Sequence, residues 1–238
     1  MFLLKDIMFT KHDENISRLI RLVKKLSNTS PGSLLIIDIG AFDGNTSLHL
    51  SKSFPHCKII AFEPNIDAFE IAKRNCQQNS NITVNNIAIS DTSGKAELNV
   101  TQNQVSSSLN KVNAEKLELT QKESISVVKT VEVTVQTLDG LNIKEDILIL
   151  KIDAQGHEKE ILMGGKNTLK NVSFILVEMN NHDIYEGSSK YYEIDQLLRE
   201  TDFKLVDIIV TYRKNGLLVT EYDAIYINRL KYPAFVSK

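Results

Sequence analysis

Two clusters in the 238-residue chain have the residue types and spacing of groups that hold a ligand or move a proton. The first is IIDIGAFDGNTS, where Asp38 ends an apolar run and Gly40, Ala41 and Gly44 follow before a helical stretch. Glycine permits a tight turn and close backbone approach, and the free amides of the next helix face whatever lies there. The loop lacks the Lys-Ser/Thr of a phosphate cradle and the third glycine of a dinucleotide fingerprint. An acid in front of it repels a pyrophosphate and suits a ligand carrying an ammonium group. In AFEP, Glu63 and Pro64 close a second apolar run. That spacing of about 20 residues lets a carboxylate accept from both ribose hydroxyls. Adenosine joined to a cation satisfies both features, so S-adenosylmethionine fits better than a nicotinamide dinucleotide. A plain strand-to-helix turn and a surface acid are the competing readings. A third contact is expected from Asn86 to Ser90, with Asp91, where adenine would lie.

The second cluster is DILILKIDAQGHE. Lys151 stands near the end of an otherwise apolar strand, and a buried ammonium is costly unless paired. Its expected partners are Asp153 and Glu178, the latter closing FILVEMN. In an open α/β sheet the carboxyl ends of the strands form the ligand crevice, so the three residues would converge there. A structural ion pair is the competing reading. His157 opens a helix, either facing the crevice as a general base or facing solvent. Glu158 and Glu160 lie in the first helical turn, where acids oppose the macrodipole. Asp153, Glu178 and His182 form an alternative set of hard ligands, but their spacing matches no metal motif and no metal is expected.

These residues require a scaffold in which β-rich runs alternate with helices, the pattern of a parallel sheet covered on both faces. Strands are expected at 34–39, 58–62, 82–89, 146–152 and 173–179, and helices at 45–54, 66–79, 157–169 and 191–201. Runs 204–210 and 222–228 are joined through Asn215 and Gly216, too short for a parallel crossover, so they form an antiparallel hairpin. A mainly parallel sheet ending this way is the architecture of class I methyltransferases. Ile16, Leu19, Ile20, Val23 and Leu26 recur at helical spacing, which predicts an amphipathic helix over 12–28 on the core or over the cleft. Two alternating runs at 96–100 and 131–136 frame a polar segment around QVSSSLN that is placed to cover a site.

Composition narrows the function. The 28 basic and 30 acidic residues leave a net charge of −2, which argues against nucleic acid as partner. No apolar run reaches the roughly 20 residues of a membrane span, and the start of the chain does not read as a signal peptide, so a cytoplasmic location is expected. Cys57 and Cys76 are too few for a disulfide scaffold, and Cys76 shares a helical face with Phe69 and Ala72. One domain over 34–230 is expected, with a polar insert at 92–136, a helical extension over 1–33 and a tail over 231–238. The oligomeric state is left open, a homodimer being one option.

The ordered series DIGAFDGNTS, AFEP, NIAISDTSG, Ser107 to Leu109, VQTLD, LKIDAQGHEKEILMGG and ILVEMN resembles the FkbM-type S-adenosylmethionine-dependent methyltransferases over Leu34 to Asn228. The resemblance implies a Rossmann-like class I α/β fold and methyl transfer, typically to a hydroxyl of a sugar or natural product. It implies that Asp38, Gly40 and Gly44 line the methionine moiety, Glu63 the ribose, Ile87 or Ala88 the adenine, and that Asp153 stands near the sulfonium and acceptor. The family usually carries an acid where this chain has Gln155. Glutamine keeps the size but is neither a base nor a strong metal ligand, which moves the base role to Asp153, His157 or Glu178, with Lys151 setting the local field. A nicotinamide-dependent oxidoreductase and a non-catalytic binding module are the competing classes. Tyr185, Tyr191 and Tyr192 either stack on a sugar ring or belong to the core.

Overall fold

The computed structural model describes residues 2–27, 34–113, 115–116, 125–181 and 184–236. In chain order these form α1 (Phe2–Leu26), β1 (Leu35–Ile39), α2 (Asn45–Ser53), β2 (Lys58–Phe62), α3 (Ile66–Cys76), β3 (Ile82–Asn85) and β4 (Ala88–Ser90). There follow β5 (Gly94–Thr101), β6 (Val127–Thr137), β7 (Ile147–Ile152), α4 (Glu158–Met163), β8 (Val172–Asn180), α5 (Tyr191–Glu200), β9 (Phe203–Lys214), β10 (Leu218–Asn228) and α6 (Pro233–Val236).

Every residue of β1 and β7 is buried, as apolar residues of both parities require of central strands. They lie side by side in a seven-stranded sheet ordered β3-β2-β1-β7-β8-β10-β9. The first five are parallel, while β10 runs antiparallel to β8 and to β9. The chain leaves β1 in one direction and returns to β7 on its other side. This reversal opens the crevice of a doubly wound fold at the ends of β1 and β7. With helices on both faces, the structure is the Rossmann-like class I methyltransferase architecture expected from the sequence.

On one face Ile16, Leu19, Ile20 and Val23 of α1 and Leu50 of α2 pack with Ile36, Ile149, Phe174 and Ile225. On the other, Ile161 of α4 and Ile194 and Leu198 of α5 pack with Ile37, Leu150 and Ile175. The amphipathic helix therefore packs on the core through Ile16, Leu19, Ile20 and Val23, and it begins at Phe2 instead of residue 12.

Three expected elements take a different form. The run 82–89 is two strands, because the chain turns at Asn86 and sends Ala88–Ser90 into a second sheet ordered β4-β6-β5. The helix expected over 157–169 stops at Met163. There Gly164 crosses β4 so closely that a Cβ would stand 2.1 Å from the Ser90 carbonyl oxygen, and a short 3-10 turn, Thr168–Asn171, completes the connection. The terminal hairpin is longer at both strands, since Asn215 and Gly216 adopt positive φ and let Lys214 pair with Leu218. No helix among the described residues is long and apolar enough to cross a membrane.

Leu19 is fully buried in the α1 contact, so Leu19→Ala should destabilise the chain by about 2–5 kcal/mol in urea unfolding. An unchanged midpoint would mean that α1 contributes nothing to the core.

Candidate active site

The crevice is organised around a buried ion pair that depends on strand register. Leu35 pairs with Ile147, but a one-residue shift makes Ile36 pair with Ile149 and sets Asp38 beside Lys151. Lys151 Nζ lies 3.3 Å from Asp38 Oδ1 and 3.6 Å from Asp153 Oδ2. It also donates to the carbonyl oxygens of Gly40 at 2.7 Å and Ile39 at 3.3 Å. Burial works against the ammonium, but the charges of Asp38 and then Asp153 outweigh it and hold the group above its ordinary range. Ser47 of α2 donates to the other Asp38 oxygen at 2.7 Å. The expected partner Glu178 is not among these contacts: the register shift gives Asp38 that place.

At the tip of β1, Gly40 adopts φ 74°, and a Cβ there would lie 1.8 Å from the Asp153 carbonyl oxygen. Only glycine lets β1 and β7 stay this close. Gly44 serves packing instead, because its Cβ would meet Cys76 Sγ at 2.8 Å. The loop between them is clamped to β2: Phe42 N donates to Glu63 Oε2 at 2.9 Å and Asn65 N to Glu63 Oε1 at 2.8 Å. Burial raises the Glu63 carboxyl to about 7, against the lowering effect of those two amides. Each carboxylate oxygen keeps a lone pair for a further donor.

Gly40, Phe42, Glu63 and Pro64 line one side of a pocket whose next wall is Ile87, Ala88 and Ile89. The polar insert roofs it with Gln104, Val105, Ser107, Ser108 and Leu109, and Asp153, Ala154, Gln155 and His157 close the far end. The roof is tied down by named bonds. Ser108 Oγ donates to the Gln155 carbonyl at 2.8 Å, Asn110 Nδ2 to that of Gly156 at 3.2 Å, and Tyr185 Oη to that of Ser106 at 2.8 Å. His157 Nδ1 faces Asn110 Oδ1 and its Nε2 faces Ser90 Oγ, each at 2.8 Å. Burial lowers the His157 pKa, and the neutral ring joins the roof to β4.

At the far end Gln155 Nε2 lies 2.9 Å from both Asp153 Oδ1 and Glu178 Oε2. Burial, then the charges of Asp153, Glu221, Glu158 and Asp223, push the Glu178 carboxyl well above its ordinary range. Glu158 is not merely a dipole partner: its Oε1 accepts from Ala154 N and Gly156 N, both at 3.0 Å, and shapes the turn after β7.

Of the residues singled out in the sequence, the pocket lining includes Gly40, Glu63, Pro64, Ile87, Ala88, Asp153 and His157. Asp38, Ala41, Gly44, Lys151 and Glu178 stand outside that lining. Tyr185 is buried against the roof, whereas Tyr191 and Tyr192 are exposed on α5. Sequence reasoning missed Phe42 and Ala154, and the alternation of glycines with positive-φ Phe42 carries no periodic signal, whereas Gln104 belongs to the QVSSSLN segment expected to cover the site. Among the described residues no group of three or more His, Cys, Asp or Glu side chains is arranged to hold a metal. His182 lies outside the described residues.

Residues 38–205 match the family model of the methyltransferase FkbM domain. The chain is 26% identical over 196 residues to the 2-O-methyltransferase NoeI of Sinorhizobium fredii, covering 78% of this chain and 77% of that protein. Among solved structures it is similar to magnesium protoporphyrin IX methyltransferase from Synechocystis PCC 6803 with bound SAM, at 11% identity and TM-score 0.49, over 92% of this chain and 80% of that one. It is also similar to the N-methyltransferase NodS from Bradyrhizobium japonicum, at 11% identity and TM-score 0.46, over 90% and 97%.

Lys151→Met should cost about 3–5 kcal/mol in urea unfolding, because it strands buried Asp38 without its cation. Adding Asp38→Asn should restore part of that loss. A single variant as stable as the parent would show that the pair does not hold β1 to β7.

Proposed function

The chain belongs to the methyltransferase FkbM family and is an S-adenosylmethionine-dependent methyltransferase; from that premise we propose that it methylates a hydroxyl oxygen of a sugar or hydroxylated natural product. One observation carries the choice of oxygen: Asp153 lines the far end of the pocket, and its side chain is 27% exposed. A carboxylate there can take the proton that a hydroxyl must lose. The relative named as a 2-O-methyltransferase supports the same choice.

The residues present suit the cofactor. The Gly40 turn admits close approach, Glu63 has lone pairs to spare for two ribose hydroxyls, and Ile87 and Ala88 offer an apolar wall to adenine. Asp38, Ala41 and Gly44 act from behind this surface, where Asp38 fixes Lys151 and Gly44 seats α2 on α3. When bound, S-adenosylmethionine supplies a methyl group on a positively charged sulfur, which departs as a neutral thioether and needs no acid from the protein. The protein's own work is alignment and proton removal. Asp153 receives the acceptor's proton while Lys151 stabilises its carboxylate. His157, with both ring nitrogens engaged by Ser90 and Asn110, serves the roof.

A methyl-transfer screen with labelled cofactor over glycans, lipid-linked sugars and hydroxylated natural products tests the proposal. The expected product is an ether that survives alkali; label found only on nitrogen, carbon or an alkali-labile ester would sink it. Asp153→Asn should leave cofactor affinity within a few fold and lower turnover by about 100-fold or more.

Cofactor affinity should also depend on pH through Glu63. The ionised carboxylate is the form that accepts both hydroxyls, and it predominates above about 7. Calorimetry with S-adenosylhomocysteine should therefore show affinity falling by up to about tenfold per pH unit below that point. In Glu63→Gln binding should be weaker throughout and lack this slope; a slope retained in the variant would assign it to another group.

A further inference from the structure

Gln155 is held in an uncommon way. Its backbone adopts φ 52° and Gly156 follows at φ 96°, a left-handed pair that costs free energy for a side chain other than glycine. The conformation places the amide between the ends of β7 and β8. One N–H goes to Asp153 and the other to Glu178, both at 2.9 Å, while the amide oxygen lies 3.2 Å from Tyr185 Oη, whose single proton is shared with the nearer Ser106 carbonyl at 2.8 Å. The opposite amide orientation would put oxygen against two carboxyls, so the network itself fixes which end is nitrogen. Both amide protons are spent inside the protein, leaving the Gln155 side chain no donor to offer an acceptor molecule.

The surroundings explain why a donor belongs there. Asp38 and Lys151 face this site from β1 and β7, Glu158 from α4, Glu221 and Asp223 from β10, and Tyr185 from the connection after β8. Lys151 is the one cation in this set, and its contacts go to Asp38 and Asp153. Glu178 instead meets amide nitrogens, Gln155 at 2.9 Å and Asn180 at 3.5 Å. The Gln155 amide is thus a neutral donor shared between two carboxyls, one of which, Glu178, is disfavoured as an anion by burial and by neighbouring acids, while the other, Asp153, has the Lys151 ammonium beside it.

We propose that Gln155 is a positioning residue for methyl transfer, binding Asp153 and Glu178 into one pair and holding the Asp153 carboxylate toward the acceptor hydroxyl. The inference rests on the reading of Asp153 as proton acceptor. In the balanced step the acceptor's O–H bond breaks as its oxygen bonds the methyl carbon, the carbon–sulfur electron pair stays on sulfur, and the proton ends on Asp153. Glu178 keeps its own proton and exchanges none with the acceptor.

Two variants of the full-length protein test this. Gln155→Met keeps length and removes both donors; Gln155→Glu keeps shape and reverses the polarity. The first readout needs no turnover: carboxyl titration by carbon-13 NMR of protein labelled at Asp and Glu, assigned with Asp153→Asn and Glu178→Gln. The Asp153 titration should move up by about one pH unit in Gln155→Met and further in Gln155→Glu, because a lost donor and an added charge both disfavour the carboxylate. S-adenosylhomocysteine affinity should stay within about threefold, since Gly40 and Glu63 are untouched. With an acceptor from the screen, the acid limb of kcat should shift upward with the titration, lowering kcat by up to about tenfold on that limb and little on the plateau above it.

An Asp153 titration unchanged in both variants overturns the proposal, as does a kcat loss equal at all pH values, which is the mark of general distortion. Should one variant fail to fold, the other still reads the titration. If the parent chain methylates no hydroxyl while the titration moves as described, the coupling of Gln155 to the pair stands and the choice of hydroxyl acceptor is what fails.

Discussion

The Lys151 to Asp38 contact governs the rest of the site. Two charges placed inside a sheet cost several kcal/mol each unless they meet, and here they meet only because β1 and β7 are offset by one residue between Leu35 and Ile36. Without the offset Asp38 would stand beside Leu150, buried without its cation, and Lys151 would keep only Asp153. The pair therefore acts as a register lock. It fixes the depth at which β1 ends relative to β7, and with it the gap between Gly40 and Asp153. The ammonium adds bonds to the carbonyls of Ile39, the last residue of β1, and of Gly40 just after it, so the strand tip that borders the pocket has little freedom to move.

From that fixed edge the pocket acquires two different ends. At one end Glu63 holds the Phe42 and Asn65 amides and remains an acceptor surface. At the other, carboxyls gather around one cation and one glutamine amide. The first end suits hydroxyl donors, the second a group that must give up a proton. Between them the insert lies as a roof whose bonds reach Gln155, Gly156, His157 and Tyr185, so both ends share one cover. The near-neutral net charge of the chain conceals this local polarity, because the acids of the far end are balanced by lysines and arginines elsewhere.

Much of the scaffold could be read from the residues. The two-parity apolar runs of β1 and β7 mark central strands without ambiguity, and Gly40, Glu63 and Asp153 stand at strand ends where a doubly wound sheet puts its ligands. Of the ion-pair partners of Lys151, Asp153 was legible from its place on the same strand, but Asp38 was not, since a one-residue offset leaves no trace in hydrophobic periodicity. Nor was the break at Asn86 that divides 82–89 between two sheets: Ile82, Val84, Ile87 and Ile89 look like one strand, and only the demand of β6 for a parallel neighbour separates them. The early end of α4 follows from the nearness of β4, a tertiary fact. His157 was visible as a histidine at a helix start, but its partners Ser90 and Asn110 are 67 and 47 residues away in the chain.

The crossing of Gly164 over β4 has a consequence for how such a chain can diverge. With the Ser90 carbonyl where a Cβ would have to sit, the root of the small sheet is pinned to α4 and neither can be re-spaced without the other. Residues 102–107, by contrast, hang from β5 by short polar turns and bear no comparable load. Change is thus easier to accommodate at the outer end of the roof, where it would alter what enters the pocket before it altered how the pocket is built, than at its root.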